Sequence, residues 1–140
     1  MSTTPSRRFR LFLDANILIS AAWKEDSKVA RLWNISNVEL VTSNYVVVEC
    51  TRNLPSPEQQ RRFDRFLQYV RVFEFEKVPA LEDPPELPPK DAHVLAAAVL
   101  ARADFLVTGD RRHFGEWFGS TIAGLRVEQP SKFPEVLELD

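Results

Sequence analysis

The chain has 140 residues, 44% of them hydrophobic, and a formal net charge of −2 at pH 7. This length suits one hydrophobic core and the apolar content excludes global disorder, so we predict a single domain over residues 1–140 with its core at about 9–127. The longest apolar run, from Val94 to Ala101, is far shorter than the roughly 20 residues of a membrane span. We therefore predict no membrane partner.

The N-terminal part of the chain alternates short apolar strands with helical segments. Phe9–Leu13 is strand-like and stops at Asp14, and a helical pattern follows from Ile17 to Trp23. Ser27 has the residue type of a helix cap, which predicts a second helix. On the buried side of that helix we expect Val29, Ala30, Leu32, Trp33 and Ile35. A short strand is predicted at Glu39–Val41.

The segment from Tyr45 to Cys50 carries conflicting signals. Its β-branched residues favour a strand, whereas the turn Thr42-Ser43-Asn44 before it is typical of a helix cap. We predict a helix here because of the family resemblance described below.

Ser56-Pro57-Glu58 is a strong helix start, with proline at the first helical position. The apolar residues that follow it repeat at helical spacing. They are Phe63, Phe66, Leu67 and Val70. A strand is predicted at Val72–Phe75.

Five prolines between Lys77 and Pro89 exclude a helix or a central strand, so we predict a loop there. Lys90–Ala103 is predicted to be a helix that is largely buried, because it is nearly all alanine and aliphatic after its first turn. Phe105–Val107 is a short apolar strand that ends at the sequence Thr108-Gly109-Asp110.

The C-terminal part of the chain continues the same alternation. We predict a helical turn at His113–Phe118, a last strand at Leu125–Val127, and a loose tail at Ser131–Leu139. Strands that alternate with helices predict an α/β sandwich with a mainly parallel central sheet, flanked by helices in three layers. The crossover connections should be right-handed.

Cysteine content and the N-terminus both suit a cytoplasmic protein. Cys50 is the only cysteine, which excludes an internal disulfide and fits a reducing compartment. The first eight residues are polar and no apolar stretch with a cleavage site follows, so we predict no signal peptide.

Most basic residues are arginine, which suits bidentate contacts with phosphate, although ordinary solvated faces are the plainer interpretation. The clusters are Arg7-Arg8-Arg10, Arg61-Arg62-Arg65 and Arg111-Arg112.

Four acidic residues stand where ligands bind in open α/β sheets. Asp14 and Asp110 each follow a predicted strand, and ligands bind beyond the carboxyl ends of parallel strands. Asp91 lies in the first turn of the long buried helix. Each of these also has an ordinary explanation, as a turn former or a helix N-terminal acid. Glu49 is less ordinary, because it interrupts the apolar run of valines and a buried carboxylate without a partner is costly.

Taken together, the four acids predict a site for Mg²⁺ or Mn²⁺, which prefer oxygen ligands. Converging carboxylates repel one another and need a cation or protons to coexist. Asn16 and Thr108 lie two residues from Asp14 and Asp110, where each could support a carboxylate or cap a turn. Candidate contacts with phosphate, on weaker grounds, are Lys90, Arg111, Arg112 and His113.

The remaining candidate residues have plain interpretations. His93 follows Asp91 by two positions, about 200° around a helix, so we expect it to point away from the acids. Cys50 is predicted to be a packed thiol. The three tryptophans, Trp23, Trp33 and Trp117, are core candidates. Trp117, which is near Asp110 in the sequence, could also stack on a base.

The acidic residues and their neighbours together resemble the PIN domain, and within it the bacterial branch that contains VapC-type toxins. The resemblance rests on Asp14-Ala15-Asn16 after an apolar strand, on Glu49, on KDAHVLAAA from Lys90 and on TGDRRHF from Thr108. It extends from about Phe9 to Val127. A D-x-N motif alone is common by chance, but the ordered set is more specific.

The resemblance implies a metal-dependent endonuclease acting on single-stranded RNA. It implies that four acids occupy the catalytic and metal-binding positions, namely Asp14, Glu49, Asp91 and Asp110. It also implies pairing into a homodimer and inhibition by an antitoxin protein, which would make the chain the toxin of a toxin–antitoxin pair.

Two other functions stay open from the sequence. The same fold could serve RNA processing or cut structured DNA, without a toxin role. The second alternative is a catalytically silent binding module. Such a module should lack at least one of the four acids, whereas all four are present. A response-regulator-like domain would need an acidic pair near the first strand, and Asp14 has no acidic neighbour.

Overall fold

The computed structural model describes residues 8–139, apart from the side chain of Leu139. Arg7 and the polar N-terminal segment, on which the prediction of no signal peptide depends, lie outside the described residues. Among the residues described, no helix combines the length and the apolar character that crossing a bilayer requires.

Six strands form a central sheet. They are β1 (Phe9–Leu13), β2 (Val38–Ser43), β3 (Val70–Phe73), β4 (Phe105–Val107), β5 (Thr121–Ile122) and β6 (Leu125–Glu128). Their order is β3-β2-β1-β4-β6-β5, and every neighbouring pair is parallel except β5 with β6. The predicted mainly parallel sheet is confirmed.

Within residues 8–139, five α-helices connect the strands. They are α1 (Ala15–Trp23), α2 (Asn44–Arg52), α3 (Pro57–Leu67), α4 (Pro89–Leu100) and α5 (Arg111–Phe114). Because parallel crossovers are right-handed, the helices between β1 and β3 cover one face of the sheet, and α4, which carries the chain back to β4, covers the other. This arrangement is the predicted three-layer sandwich.

The centre of the sheet is the core of the protein. β1 and β4 lie side by side, and Leu11, Leu13 and Leu106 on these strands are fully buried. Strands covered on both faces are apolar throughout rather than alternating, which explains the apolar runs in the sequence. The alanines of α4 allow that helix to lie close against its face.

The valine-rich segment after β2 is a helix, as the family resemblance implied. Ser43 is its N-cap, and the hydroxyl oxygen accepts a 3.3 Å hydrogen bond from the backbone N–H of Val46. Val46 and Cys50, one helical turn apart, are both buried. Capping and burial at helical spacing therefore outweigh the β propensity of the valines.

The predicted second helix is present, but the prediction that the Ser27 side chain caps it was wrong. Residues Lys28–Asn34 form a 3-10 helix, and the Ser27 side chain makes no capping hydrogen bond. Of the five residues expected to be buried there, only Leu32 is fully buried, and the other four are partly exposed.

Several other predicted bounds were also wrong. Val70 begins β3 rather than ending α3, because Gln68 and Tyr69 already close the helix with backbone bonds to its last turn. α4 ends at Leu100, short of the predicted Ala103, and the turn predicted from His113 begins at Arg111.

The two-residue strand β5 was not predicted from the sequence. The C-terminal tail is not loose, because Phe133, Val136 and Leu137 are buried beside two short 3-10 turns, Pro130–Lys132 and Glu135–Leu139. Trp23 is 49% exposed and is not a core residue.

Candidate active site

The direction of strand order reverses between β1 and β4. From β1 the chain builds the sheet outward through β2 and β3, then returns to add β4 on the other side. Asp14 follows β1 directly, and Thr108 and Asp110 follow β4. Ligands of open α/β folds bind in the crevice at such a reversal, so the sheet topology places these side chains at the expected binding edge.

Asp14 is 5% exposed and accepts three hydrogen bonds. Its Oδ1 accepts from the backbone N–H of Ala15 at 2.8 Å, which caps α1. Its Oδ2 accepts from the Thr108 hydroxyl at 2.9 Å and from the Asn16 side-chain amide at 3.0 Å. The carboxylate is thereby held in one orientation at the edge of the cleft.

Asn16 links the ends of the two strands. Its Nδ2 donates to the Thr108 hydroxyl at 3.1 Å as well as to Asp14, and its Oδ1 accepts from the backbone N–H of Gly109 at 2.7 Å. A Cβ added at Gly109 would lie 3.3 Å from that Oδ1, so the close approach favours glycine. The Thr108 hydroxyl also accepts from the backbone N–H of Asp110 at 3.2 Å.

The second group of polar side chains joins α4 to α5. His113 Nδ1 lies 2.8 Å from Asp110 Oδ2 and 3.2 Å from Asp91 Oδ2. One ligand atom from each of these three residues falls within 4.8 Å of the other two. The sequence predicted His113 only as a weak phosphate contact, although its i, i+3 spacing from Asp110 was the signal that could have placed them together.

Glu49 reaches the same site from α2. Its carboxylate forms an ion pair with the Lys90 ammonium, in the first turn of α4. The Lys90 side chain is 70% exposed and that of Glu49 is 24% exposed, so the pair lies at the rim rather than in the interior. The hydrogen bond to Glu49 raises the pKa of Lys90, and the lysine stays charged at neutral pH.

Burial and the charges of neighbouring acids oppose the ionisation of Asp14 and Asp91. Burial is the main cause that raises the pKa of Asp14, and the charges of Glu49 and Asp91 add to it. Burial also raises the pKa of Asp91. Burial acts on Asp110 too, but hydrogen bonds from the backbone and ring of His113 outweigh it and lower the pKa. A cation in the cleft would relieve this repulsion.

All four predicted acids line one open cleft of about 520 Å³, together with Asn16 and Lys90. Arg111 and Arg112 are exposed on the short helix α5 that follows Asp110. The donor set of carboxylates and one imidazole at the rim fits a divalent metal such as Mg²⁺ or Mn²⁺.

The remaining candidates lie outside this cleft. Cys50 is fully buried, with its Sγ 3.7 Å from the Ala15 carbonyl oxygen, and burial raises its pKa to about 12, as suits a packed thiol. His93 contacts Tyr45 and does not line the acidic cleft. Trp33 and Trp117 pack partly buried against the core.

Comparison with known proteins agrees with this architecture. A family model described as the PIN domain matches residues 10–112, so the chain belongs to the PIN domain family. A comparison with curated protein sequences finds no significant match.

Two solved structures share the fold. A chain in the crystal structure of VapBC2 from Rickettsia felis, bound to a DNA fragment from its promoter, is 18% identical with a TM-score of 0.63, over 86% of this chain and 98% of that one. A chain in a toxin–antitoxin complex from Klebsiella pneumoniae is 22% identical with a TM-score of 0.62, over 86% and 97%.

Proposed function

We propose that the protein is a metal-dependent endoribonuclease that cleaves single-stranded RNA. The observation that carries this proposal is the convergence of Asp14, Glu49, Asp91 and Asp110 on one open cleft at the carboxyl edge of the sheet. Four acids have no structural need to share a cleft, because their charges repel. Membership of the PIN domain family supports the same function.

Asp91, Asp110 and His113 would hold the metal, with Asp14 and Glu49 as further acids of the same cleft. We propose Mg²⁺ or Mn²⁺, since most of the ligands are carboxylate oxygens. When bound, such an ion supplies a nucleophilic water at neutral pH and neutralises charge that develops on the phosphate.

The other side chains of the cleft orient the acids and attract the substrate. Thr108 and Asn16 fix the Asp14 carboxylate through the hydrogen bonds to its Oδ2. Lys90, Arg111 and Arg112 supply positive charge near the rim, where the RNA backbone would pass. This division leaves the acids of the cleft for the ion and the exposed cations for phosphate.

We further propose that the chain is the toxin of a toxin–antitoxin pair, that it acts in the cytoplasm, and that it forms a homodimer. Two proteins of the same fold occur in toxin–antitoxin complexes, which supports an antitoxin as its partner.

Induction of the chain alone should then arrest growth, and co-expression of the cognate antitoxin should restore it. Light scattering of the purified protein should give twice the mass of one chain.

Incubation of the purified protein with long single-stranded RNA tests the nuclease function. We expect cleavage in Mn²⁺ or Mg²⁺, none in EDTA, and none by Asp91→Asn. The matched control is Asp64→Asn, which removes an exposed carboxylate on α3 and should leave cleavage unchanged. Full activity of both Asp14→Asn and Asp91→Asn would rule out this site.

A further inference from the structure

A second groove opens beside the acidic cleft, between α2 and the first turns of α4. Its volume is about 260 Å³, and Glu49 and Lys90 line both the groove and the cleft. The other side chains that the argument uses are Tyr45, Val46 and His93. We call this the Tyr45–His93 groove. A chain-like ligand that occupies both would cross the Glu49–Lys90 ion pair.

The two rings of the groove are held in place without a ligand. Their centroids are 4.8 Å apart and their planes meet at 75°, an edge-to-face contact. The Tyr45 hydroxyl donates a 2.8 Å hydrogen bond to the Glu76 carbonyl oxygen, yet the residue is 39% exposed. Rings that are fixed but accessible lose little conformational freedom when they bind.

The proline-rich loop is tied to the same groove. The Asn44 side chain donates to the Phe75 carbonyl oxygen at 3.1 Å and accepts from the Phe75 backbone N–H at 3.0 Å, which joins the segment before the loop to the start of α2. His93 also lines an apolar pocket under the loop, with Pro84 and Pro85. The loop and the segment before it therefore flank the part of the groove that Tyr45 and His93 form.

We propose that the Tyr45–His93 groove binds the base of the nucleotide next to the scissile phosphate of single-stranded RNA, and so contributes to the choice of cut site. This inference rests on the proposed nuclease function. Proteins bind unpaired bases by stacking them on aromatic side chains. The volume of about 260 Å³ lies just below the range of roughly 300–1,000 Å³ that suits larger ligands, and favours a single ring system.

The Glu49–Lys90 ion pair, whose two residues both line the groove, gives it a polar boundary that suits a nucleotide better than an uncharged apolar ligand. Lys90 stands at the boundary of groove and cleft, and its side chain is 70% exposed. A sugar–phosphate backbone that crosses this boundary would pass the ammonium group while its base lies against Tyr45 and His93. The next phosphate would then lie at the acids.

Cleavage of RNA that lacks single bases tests the inference. After one cut site is mapped, oligonucleotides with one abasic nucleotide at each flanking position are compared by kcat/KM. We expect one position at which the wild type loses about tenfold, a typical effect of one lost stacking contact. Tyr45→Leu and His93→Leu should each have a kcat/KM about tenfold below the wild type on intact RNA. Removal of the base at that position should not lower their kcat/KM further.

Two variants serve as controls. Tyr45→Phe keeps the ring, so removal of the base at that position should still lower its kcat/KM about tenfold, as it does for the wild type. Tyr69→Leu removes an aromatic residue that is 75% exposed but lines a different surface, and its cleavage pattern should not change. Thermal unfolding of each variant checks that it is folded.

The outcomes separate the two proposals. If the folded leucine variants cleave RNA and each abasic position lowers their kcat/KM as much as it lowers that of the wild type, the groove does not bind a base. The nuclease function would still stand. That result would favour a polypeptide partner for the groove. No cleavage of any RNA by the wild type in Mn²⁺ would overturn the nuclease function and, with it, the inference.

Discussion

Replacement of Asp91 by asparagine should have opposite effects on stability with and without metal. Without metal, Asp91 carries a charge close to Asp110, and its pKa is raised by burial. The variant should therefore unfold at a higher temperature than the wild type in EDTA. With metal, the wild type gains an ion that the variant binds poorly, so the order of the two proteins should reverse.

The distance between the acids sets the size of the effect without metal. Ligand atoms of Asp91 and Asp110 lie within 4.8 Å of each other, and the repulsion at that separation is between about 1 kcal/mol in water and about 3.5 kcal/mol at an effective dielectric constant of about 20. The lost contact with His113, whose Nδ1 lies 3.2 Å from Asp91 Oδ2, and the lost helix-dipole interaction offset roughly 1–2 kcal/mol of this. A net gain of about 1 kcal/mol, or about 3 °C, is expected.

Metal should make the wild type the more stable of the two proteins. At a free concentration of about 100 times its Kd, an ion that binds only the folded state stabilises it by about 2.7 kcal/mol. The wild type should then exceed Asp91→Asn by about 2 kcal/mol in saturating Mn²⁺, if the variant binds none. Thermal and urea unfolding in EDTA and in Mn²⁺ measure both differences, with Asp64→Asn as the control that shifts neither.

The pH dependence gives an independent check. Because the pKa of Asp91 is raised in the folded state, the proton is bound more tightly there, and stability is lost as the pH rises through that raised pKa. The advantage of Asp91→Asn in EDTA should be full at pH 7 and absent below the ordinary pKa of 3.8. A variant that is less stable than the wild type in EDTA at pH 7, or equally stabilised by Mn²⁺, would refute the reasoning.

Three further predictions concern the support of the site and the core. Thr108→Val keeps the shape of the side chain but removes the hydroxyl that bonds Asp14 and Asn16, so stability should fall by about 1–3 kcal/mol and kcat should fall; unchanged kcat would show that Asp14 needs no such support. Cys50 is buried with a pKa of about 12, so thiol reagents at pH 8 should label it only in urea. Rapid labelling of the folded protein would contradict its packing. Leu106→Ala, at a fully buried position on β4, should lower the free energy of unfolding by about 2–5 kcal/mol, and a loss below about 1 kcal/mol in urea titrations would argue against a tightly packed sheet.

The fold could be predicted from local patterns because each pattern has a strong physical cause. The apolar segments of β1 and β4 predict buried strands, and the start at Ser56 predicts a helix through its cap and proline. The order of strands and helices then predicts a parallel sheet. Predicted bounds failed where helix and strand signals overlap, as at Val70, or where a single serine was read as a cap, as at Ser27.

The acidic residues of the candidate site were also visible in the sequence, as residues at strand ends and in a first helical turn. The sequence could predict that these acids share a site but could not establish it, because Asp14 and Asp110 are brought together only by the pairing of β1 with β4. The same pairing brings the Thr108 hydroxyl to Asp14 across 94 positions of the chain. Sequence separation carries no information about such contacts.

The remaining features of the site are side-chain contacts that depend on the tertiary structure. The sequence by itself determined which segments are strands and helices in most of the chain, and which acids follow them, since those features depend on periodicity, capping and turn chemistry. Only the folded structure decided that His113, which its i, i+3 spacing already puts near Asp110, also meets Asp91, that Lys90 pairs with Glu49, and that His93 meets Tyr45. These are contacts between separate elements, and the packing of helices on the sheet fixes them.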